Sequence, residues 1–316
     1  MGNIYQVSWK SGSNNNNKKS IIVKYVHPRL SSGKLSIGDQ RKLDSYIVES
    51  NFYEQFAPNL HSVEDVPLPP PPYHIERNLS DKTHPTIIIA MGELQQSPAA
   101  SGGYNDENDN THKDVMAWLA KFHAATWQST TTELQPVGSY WHLDTRPNEW
   151  QDMPRHGWEG RLKKAARAID ERLKRDPLQC LVHGDTKDAN ILYCDNNELA
   201  FCDFQYVGRG PPSRDLSYYF CSSHVDDYEE LVQFYFDSLL QHLTARGITT
   251  AALPTRQQLD DSLELAFCDF CRFMAGWGYW GYDLSKQVKV TLDKLDGGKM
   301  LKTEQDYQEA MERVFG

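Results

Sequence analysis

Asp185, Asn190 and Asp203 are the side chains of this sequence best suited by type and spacing to chemistry. They stand in His183-Gly184-Asp185-Thr186-Lys187-Asp188-Ala189-Asn190 and in Asp203-Phe204-Gln205. Phosphoryl transfer asks little covalent work of a protein; it needs positioning and charge neutralisation. One carboxylate must orient the attacking hydroxyl and accept its proton. Further oxygen ligands must hold magnesium against the nucleotide phosphates. Such groups converge when short loops at strand ends carry them. Asp185 and Asn190 lie between two apolar runs, Cys180-Leu181-Val182 and Ile191-Leu192-Tyr193. Asp203 closes a third, Leu199 to Cys202. A hairpin turning at Asp195-Asn196-Asn197 is expected to return Asp203 to the side of Asn190. Any one of these residues alone reads as an ordinary turn residue. The joint order, His-x-Asp-x-x-x-x-Asn and then Asp-Phe, is that of a kinase catalytic loop.

HGD-x4-N followed by DFQ resembles the catalytic core of the aminoglycoside-phosphotransferase and choline-kinase superfamily, and more closely its ecdysteroid-kinase-like (CHK-kinase-like) branch. Further stretches carry the resemblance: Arg41-Lys42-Leu43 to Glu49, Gly138 to Leu143, Asp203 to Gly208, and Asp269-Phe270 with Arg272-Phe273 ahead of Gly276-Trp277. It runs over nearly the whole chain from about residue 20. It implies ATP and magnesium as cofactors, with Asp185 as catalytic base and Asn190 and Asp203 as metal ligands. Lys24 matches the strand lysine that contacts the α- and β-phosphates, and Glu49 its helix partner. Met91, Gly92, Glu93 and Leu94 match the hinge that receives adenine. Asp215 matches an aspartate that braces the catalytic loop, although helix capping is an equal reading. Lys187 could neutralise charge on the transferring phosphate, or be a solvated loop lysine. Read alone, Lys24 is equally an edge-strand lysine facing water; Glu49 tips the balance towards the cleft.

The elements that must position these residues follow from periodicity. Ile4 to Trp9 alternates as a strand, and Ile21 to Val26 is a second, joined by the polar run Ser11 to Asn17. Residues 39–57 repeat apolar positions near the helical period, with Phe52 or Tyr53 inward. Pro67 to Pro72 is a stiff connector. Residues 73–79 and 86–91 read as two more strands. Ser97 to Thr111 is expected to be a mobile loop. Apolar stripes at Val115–Phe122, Leu162–Leu173, Leu231–Leu239 and Leu263–Phe273 predict helices. The expectation is an α+β, two-lobed, protein-kinase-like fold. Residues 1–92 would form a small antiparallel-sheet N-lobe that binds nucleotide. Residues 93–316 would form a helical C-lobe with the catalytic loop, the magnesium site and the acceptor region. The resemblance also implies a strand and a phosphate-covering loop before the hairpin, for which Met1 to Val7 gives no room. The N-lobe is thus expected to lack its first strand: either the sequence is without its true N-terminus, or the protein clamps phosphates weakly. The Ser11 to Lys19 loop is glycine-poor and lies between the wrong strands to replace it.

Charge and composition limit the partners. The 316 residues include 43 acidic and 33 basic side chains, for a net charge of -10. Such a chain repels nucleic acid and anionic lipid. No stretch reaches the roughly 18 apolar residues of a membrane span. Six cysteines in so long a chain form no disulfide framework, and a cytoplasmic setting is the default. Cys268 and Cys271 form a lone CxxC, read as core packing because a structural zinc needs about four ligands. His123 and His142 are read as structural. The late group Phe273, Trp277, Tyr279, Trp280 and Tyr282, with Asp269 and Asp283, is either plain core or an acceptor wall. As a wall it would suit a cationic or a sterol-like hydroxyl compound.

Three functions compete: a small-molecule kinase, a pseudokinase or binding module without turnover, and a protein kinase. Gly184 and the short stretch from Asp203 to Gly210-Pro211-Pro212-Ser213-Arg214-Asp215 disfavour the last. The one replaces the arginine that reads a phosphorylated activation loop, and the other leaves no room for such a loop.

Overall fold

The computed structural model describes residues 2–10, 18–27, 36–80, 84–94, 109–193 and 199–316. Two strands open the chain, β1 (Gly2–Lys10) and β2 (Lys18–Val26). Helix α1 (Ile37–Asn51) follows, started by Ser36, whose hydroxyl accepts from the Asp39 N–H. The helix does not stop at Asn51. It widens into a π-helical turn, Phe52–Phe56, and continues as α2 (Ala57–Ser62). The Ala57 N–H returns to Phe52 O, one residue further than in an α-helix. Pro58 follows with no N–H to restore the tighter pattern at that point. This turn answers the choice between Phe52 and Tyr53, because both rings are buried.

Strands β3 (Pro72–Asn78) and β4 (Thr86–Gly92) complete a fully antiparallel sheet in the order β1-β2-β4-β3. Strand β2 is therefore interior. Lys24 pairs with Ile4 on one side and Ile89 on the other, so the edge-strand reading of Lys24 is wrong. Beyond Pro67, the proline run forms no regular element until β3 begins at Pro72. The loop residues 11–17, the turn residues 195–197 and most of the segment expected to be mobile, 97–108, lie outside the described residues. The last three residues of that segment, 109–111, belong to a helix rather than a loop.

Helices dominate the remainder. Helix α3 (Asp109–Ala125) packs on a later helix, residues 229–245. Helix α4 (Pro147–Asp152) is short, and α5 (Gly157–Lys174) carries its apolar stripe inward. Then come the short strands β5 (Cys180–Val182), β6 (Ile191–Tyr193), β7 (Leu199–Phe201) and β8 (Gly208–Gly210). Strands β6 and β7 form the expected hairpin, with Ile191 opposite Phe201. Strand β5 does not join it; it pairs with β8. Four helices finish the chain after α6 (Ser213–Ser222): α7 (Glu229–Ala245), α8 (Arg256–Trp277), α9 (Ser285–Asp296) and α10 (Glu304–Phe315).

A small antiparallel sheet thus sits against a larger helical part, the α+β arrangement expected. Among the described residues no helix is long and apolar enough to cross a membrane. Cys268 and Cys271 are buried free thiols within α8. Burial pushes both thiols up, Cys268 to about 12. They pack as small apolar residues.

Candidate active site

Strand alternation puts Lys24 on the same face of β2 as Ile22 and Val26, which pack into the core. Its ammonium reaches both Glu49 oxygens, at 2.9 and 2.7 Å, and Asp203 Oδ1 at 3.0 Å. Burial works against the ammonium, but Glu49 and Asp203 outweigh it and hold Lys24 above its ordinary value. Burial lifts the Glu49 carboxyl to about 7 against the pull of Lys24. With both oxygens receiving Nζ protons, the pair becomes an ammonium–carboxylate as pH rises through about 7. Burial also acts upward on Asp203, yet Lys24 and Gln205 overcome it and keep that carboxylate ionised.

Asp203 lies two residues beyond β7, with φ of 68°. Aspartate tolerates this left-handed conformation better than most residues do. Its neighbour Phe204 is fully buried and anchors it. The Phe204 ring stacks on Phe52 at 4.0 Å, meets Tyr53 edge-on at 5.9 Å, and lies 4.6 Å from His183. The π-turn after α1 and the catalytic loop therefore grip the same ring.

The loop after β5 is braced from beneath. Asp215, on α6, accepts from the His183 N–H at 2.7 Å and the Gly184 N–H at 2.8 Å. The Thr186 hydroxyl donates to the Asp215 carbonyl at 2.8 Å. His123 Nε2 lies 3.1 Å from Asp215 Oδ2, and its Nδ1 lies 2.9 Å from the Tyr235 hydroxyl. Helix α6 has Pro212 at its N-cap, so Asp215 does not cap it. His123 is structural, as expected. So is His142, which burial and then Arg214 hold neutral down to about 3. Burial likewise keeps His183 neutral. Its Nδ1 accepts from the Asp185 N–H at 3.2 Å, so Nε2 carries the proton donated to Cys202 O at 3.0 Å. One imidazole thereby joins the catalytic loop to the strand leading to Asp203.

Asp185 Oδ2 receives Lys187 Nζ at 2.7 Å and Asn190 Nδ2 at 3.1 Å. Asn190 Nδ2 also donates to the Asp185 carbonyl at 2.8 Å. The amide oxygen of Asn190 is then the atom able to take a cation. Asp185 Oδ1 is buried and makes no hydrogen bond of normal geometry. Asp203 and Asn190 are hard oxygen donors and fit magnesium, which usually takes one or two protein oxygens plus substrate phosphates.

The structure thus gathers the expected residues into two groups, Lys24–Glu49–Asp203 and Asp185–Lys187–Asn190. Met91 and Gly92 end β4, and Glu93 and Leu94 leave it. Glu93 is not free: it accepts from Gln6 Nε2 at 2.7 Å and from the Ser20 hydroxyl.

The expected acceptor wall divides. Asp269 is sealed in α8 between Arg214 Nη1 (2.7 Å) and Arg272 Nε (2.9 Å), so it faces no ligand. Arg272 also donates to Trp141 O at 2.7 Å. Asp283 accepts from the Ser285 N–H at 2.8 Å near the start of α9. Phe273 is buried, whereas Trp277, Tyr279 and Trp280 are exposed. Trp158, Tyr279, Trp280 and Tyr282 line a cavity of about 400 Å³.

A second aromatic group went unread in the sequence. Tyr140 lies 5.7 Å from Tyr206, 5.5 Å from Tyr218 and 5.5 Å from Phe273. The Arg146 guanidinium stands over Tyr140, Phe273 and Trp277 at 5.3 to 5.6 Å. Burial pushes the Tyr140, Tyr206 and Tyr218 phenols up, and the charge of Asp185 adds to this in all three. These rings stand beside the Asp185 carboxylate. Dispersed positions and ordinary core composition hid them; only Tyr140 and Tyr206 fell in stretches already singled out.

Residues 143–248 match the ecdysteroid kinase-like family. That segment holds Asp185, Lys187, Asn190, Asp203 and Asp215, whereas Lys24 and Glu49 precede it. The branch is the one the motifs pointed to. Among solved structures, an amicoumacin kinase in complex with AMP-PNP, Ca2+ and amicoumacin aligns with a TM-score of 0.50 and 14% identity, over 99% of this chain and 86% of that one. This likeness shows a kinase-like fold. A microcompartment-associated aminopropanol kinase aligns at 0.47 and 16% identity, over 95% and 94% of the two chains. A choline kinase from Streptococcus pneumoniae aligns at 0.41 and 13% identity, over 99% and 93%. A search of curated proteins gave no match.

Proposed function

We propose that this protein is an ATP- and magnesium-dependent phosphotransferase acting on a hydroxyl of a small organic molecule. One observation carries the reading. Asp185 has one oxygen held by Lys187 and Asn190, while its other oxygen is buried and makes no hydrogen bond of normal geometry, with the Tyr218 hydroxyl beside the carboxylate. A carboxylate so held is oriented to accept a hydroxyl proton.

Residues 2–92 would form the nucleotide-binding lobe and the helical part the catalytic lobe. Lys24, fixed by Glu49, would contact the nucleotide phosphates, and Met91 to Leu94 would receive adenine. Asn190 and Asp203 would hold magnesium, which neutralises phosphate charge when bound. Asp185 takes the acceptor O–H proton as the new O–P bond forms. The bond between the β–γ bridging oxygen and phosphorus breaks, and ADP leaves with that electron pair. Lys187 neutralises charge on the transferring group.

Three features favour a small acceptor. Only Phe204 to Pro212 separate Asp203 from α6, which leaves no long regulatory segment. Gly184 holds φ of 81° at the position where a phosphate-reading arginine would stand. The half-buried rings of Tyr140 and Tyr206, inclined to each other by 57°, offer aromatic surface beside the base. The guanidinium of Arg146 over Tyr140, and the sealing of Asp269, favour a neutral hydroxyl compound over a quaternary ammonium.

The test is labelled ATP with magnesium, a panel of hydroxyl compounds (sterols, choline, ethanolamine, aminoglycosides, sugars) and a generic protein substrate. Transfer to a small hydroxyl compound is expected. Asp185→Asn should lower kcat by about 100- to 10,000-fold with nucleotide affinity retained. Asp203→Ala should abolish magnesium-dependent nucleotide binding. Transfer that survives Asp185→Ala unchanged would sink this mechanism. Magnesium-dependent nucleotide binding with no transfer to any acceptor would point instead to a binding module.

A further inference from the structure

Gln205 follows Asp203-Phe204 and takes no part in the chemistry just described, yet it is bonded at both ends. Its Nε2 donates to Asp203 Oδ1 at 2.6 Å. Its Oε1 lies 3.2 Å from the Ser45 hydroxyl, whose single proton it shares with the Lys42 carbonyl at 2.9 Å. The amide orientation is forced by chemistry, because a carboxylate only accepts and so must meet the amide nitrogen.

Ser45 is buried and stands on α1 one turn before Glu49, on the same helix face. Glu49 holds Lys24, and Lys24 also donates to Asp203 Oδ1. Two chains of hydrogen bonds therefore leave one face of α1 and end on the same oxygen. One runs through Ser45 and Gln205, the other through Glu49 and Lys24. Asp203 Oδ1 is occupied twice from within the protein, and Oδ2 is the oxygen left to a ligand.

We infer that Gln205 is a positioning residue that fixes which Asp203 oxygen meets the metal, and that through Ser45 it makes this setting depend on the placement of α1. This rests on the phosphotransferase reading of the site. Lys24 is shared with the nucleotide, whereas Gln205 holds Asp203 whether nucleotide is present or not. The preference for one carboxylate oxygen is then built in before the metal arrives.

The test uses the full chain and a fluorescent ATP analogue, titrated in magnesium and in chelator. Gln205→Met keeps the side chain's length and removes both hydrogen bonds. It should weaken apparent magnesium affinity by roughly 10- to 100-fold, as loss of a ligand-orienting partner does. Analogue affinity in chelator should not change. Ser45→Ala cuts only the link to the helix and should weaken magnesium affinity by about 3-fold. In metal-free protein both variants should speed amide exchange around Ser45. Gln205→Met with wild-type magnesium affinity overturns the inference. So does an equal loss of affinity in magnesium and in chelator, which would make Gln205 a packing residue. Wild-type protein that binds the analogue equally well with and without magnesium removes the metal reading itself, and this shows before any variant is made.

Discussion

Two ion clusters in this molecule use the same side-chain chemistry to opposite ends. At the front, Lys24 joins Glu49 and Asp203; at the back, Asp269 joins Arg214 and Arg272. In the back cluster every side chain is about 1% exposed or less. In the front one Asp203 keeps 33% of its side chain exposed and Lys24 keeps 13%. A sealed cluster has permanent partners and serves the fold. An open-sided cluster, in which one cation serves two acids, can exchange a partner for a ligand. The degree of sealing, more than the residue types, separates a closed structural cluster from one left open to a ligand.

The largest expected effect tests the sealed cluster. Asp269→Ala strands two buried guanidiniums and should cost about 3–5 kcal/mol in urea unfolding. Lys24→Met should cost less in the same assay, because burial already draws Glu49 towards its neutral form. Equal losses would erase the contrast between the clusters.

Next comes acid sensitivity behind the site. His142 titrates near 3 in the fold and near 6.5 when unfolded. The neutral form is the one the fold prefers. Its contribution is therefore present above pH 6.5 and is lost as pH falls towards 3. Between pH 6.5 and 5 it should remove about 2 kcal/mol. His142→Gln should flatten that part of a stability–pH curve, and an unchanged slope would refute the assignment.

Glu49 runs the other way. Burial raises its carboxyl from 4.5 to about 7, so its contribution to stability is complete below 4.5 and is lost as pH rises through 7. The ion pair that the proposed function needs forms over that same rise. For ATP, kcat/KM should fall about tenfold per pH unit below 7, and Glu49→Gln should lose this limb. The smallest effect belongs to an exposed pair, Arg175 with Glu312 at 2.5 Å. Arg175→Ala should change stability by less than about 0.5 kcal/mol.

Much of the site was legible because its parts are close in sequence. Asp185, Asn190 and Asp203 span one loop and one hairpin, and local turn chemistry brings them together. Lys24 and Glu49 were legible only through their resemblance to a known pattern, since nothing local couples a strand lysine to a helix glutamate. Helix α6 escaped the periodicity reading because Ser213, Arg214, Asp215 and Ser217 are all buried. A helix sealed on every side by partners shows no apolar stripe. Helix α10 left a signal that was passed over. Thr303 and Asp306 form a capping box, and Tyr307, Ala310 and Met311 recur at helical spacing. Asp269 was left open between plain core and an acceptor wall, because sequence cannot show that two arginines already enclose it.

Gly184 has an evolutionary consequence. A Cβ at this position would collide with the Tyr206 carbonyl oxygen and stand 2.9 Å from Ser139 N, on a backbone whose φ already disfavours L side chains. No point substitution can install a phosphate-reading arginine here unless two flanking segments move as well. Drift towards control by activation-loop phosphorylation is thus blocked by main-chain geometry, whatever selection might favour. A phosphate-reading arginine is closed to this position while the Tyr206 and Ser139 backbones stay where they are.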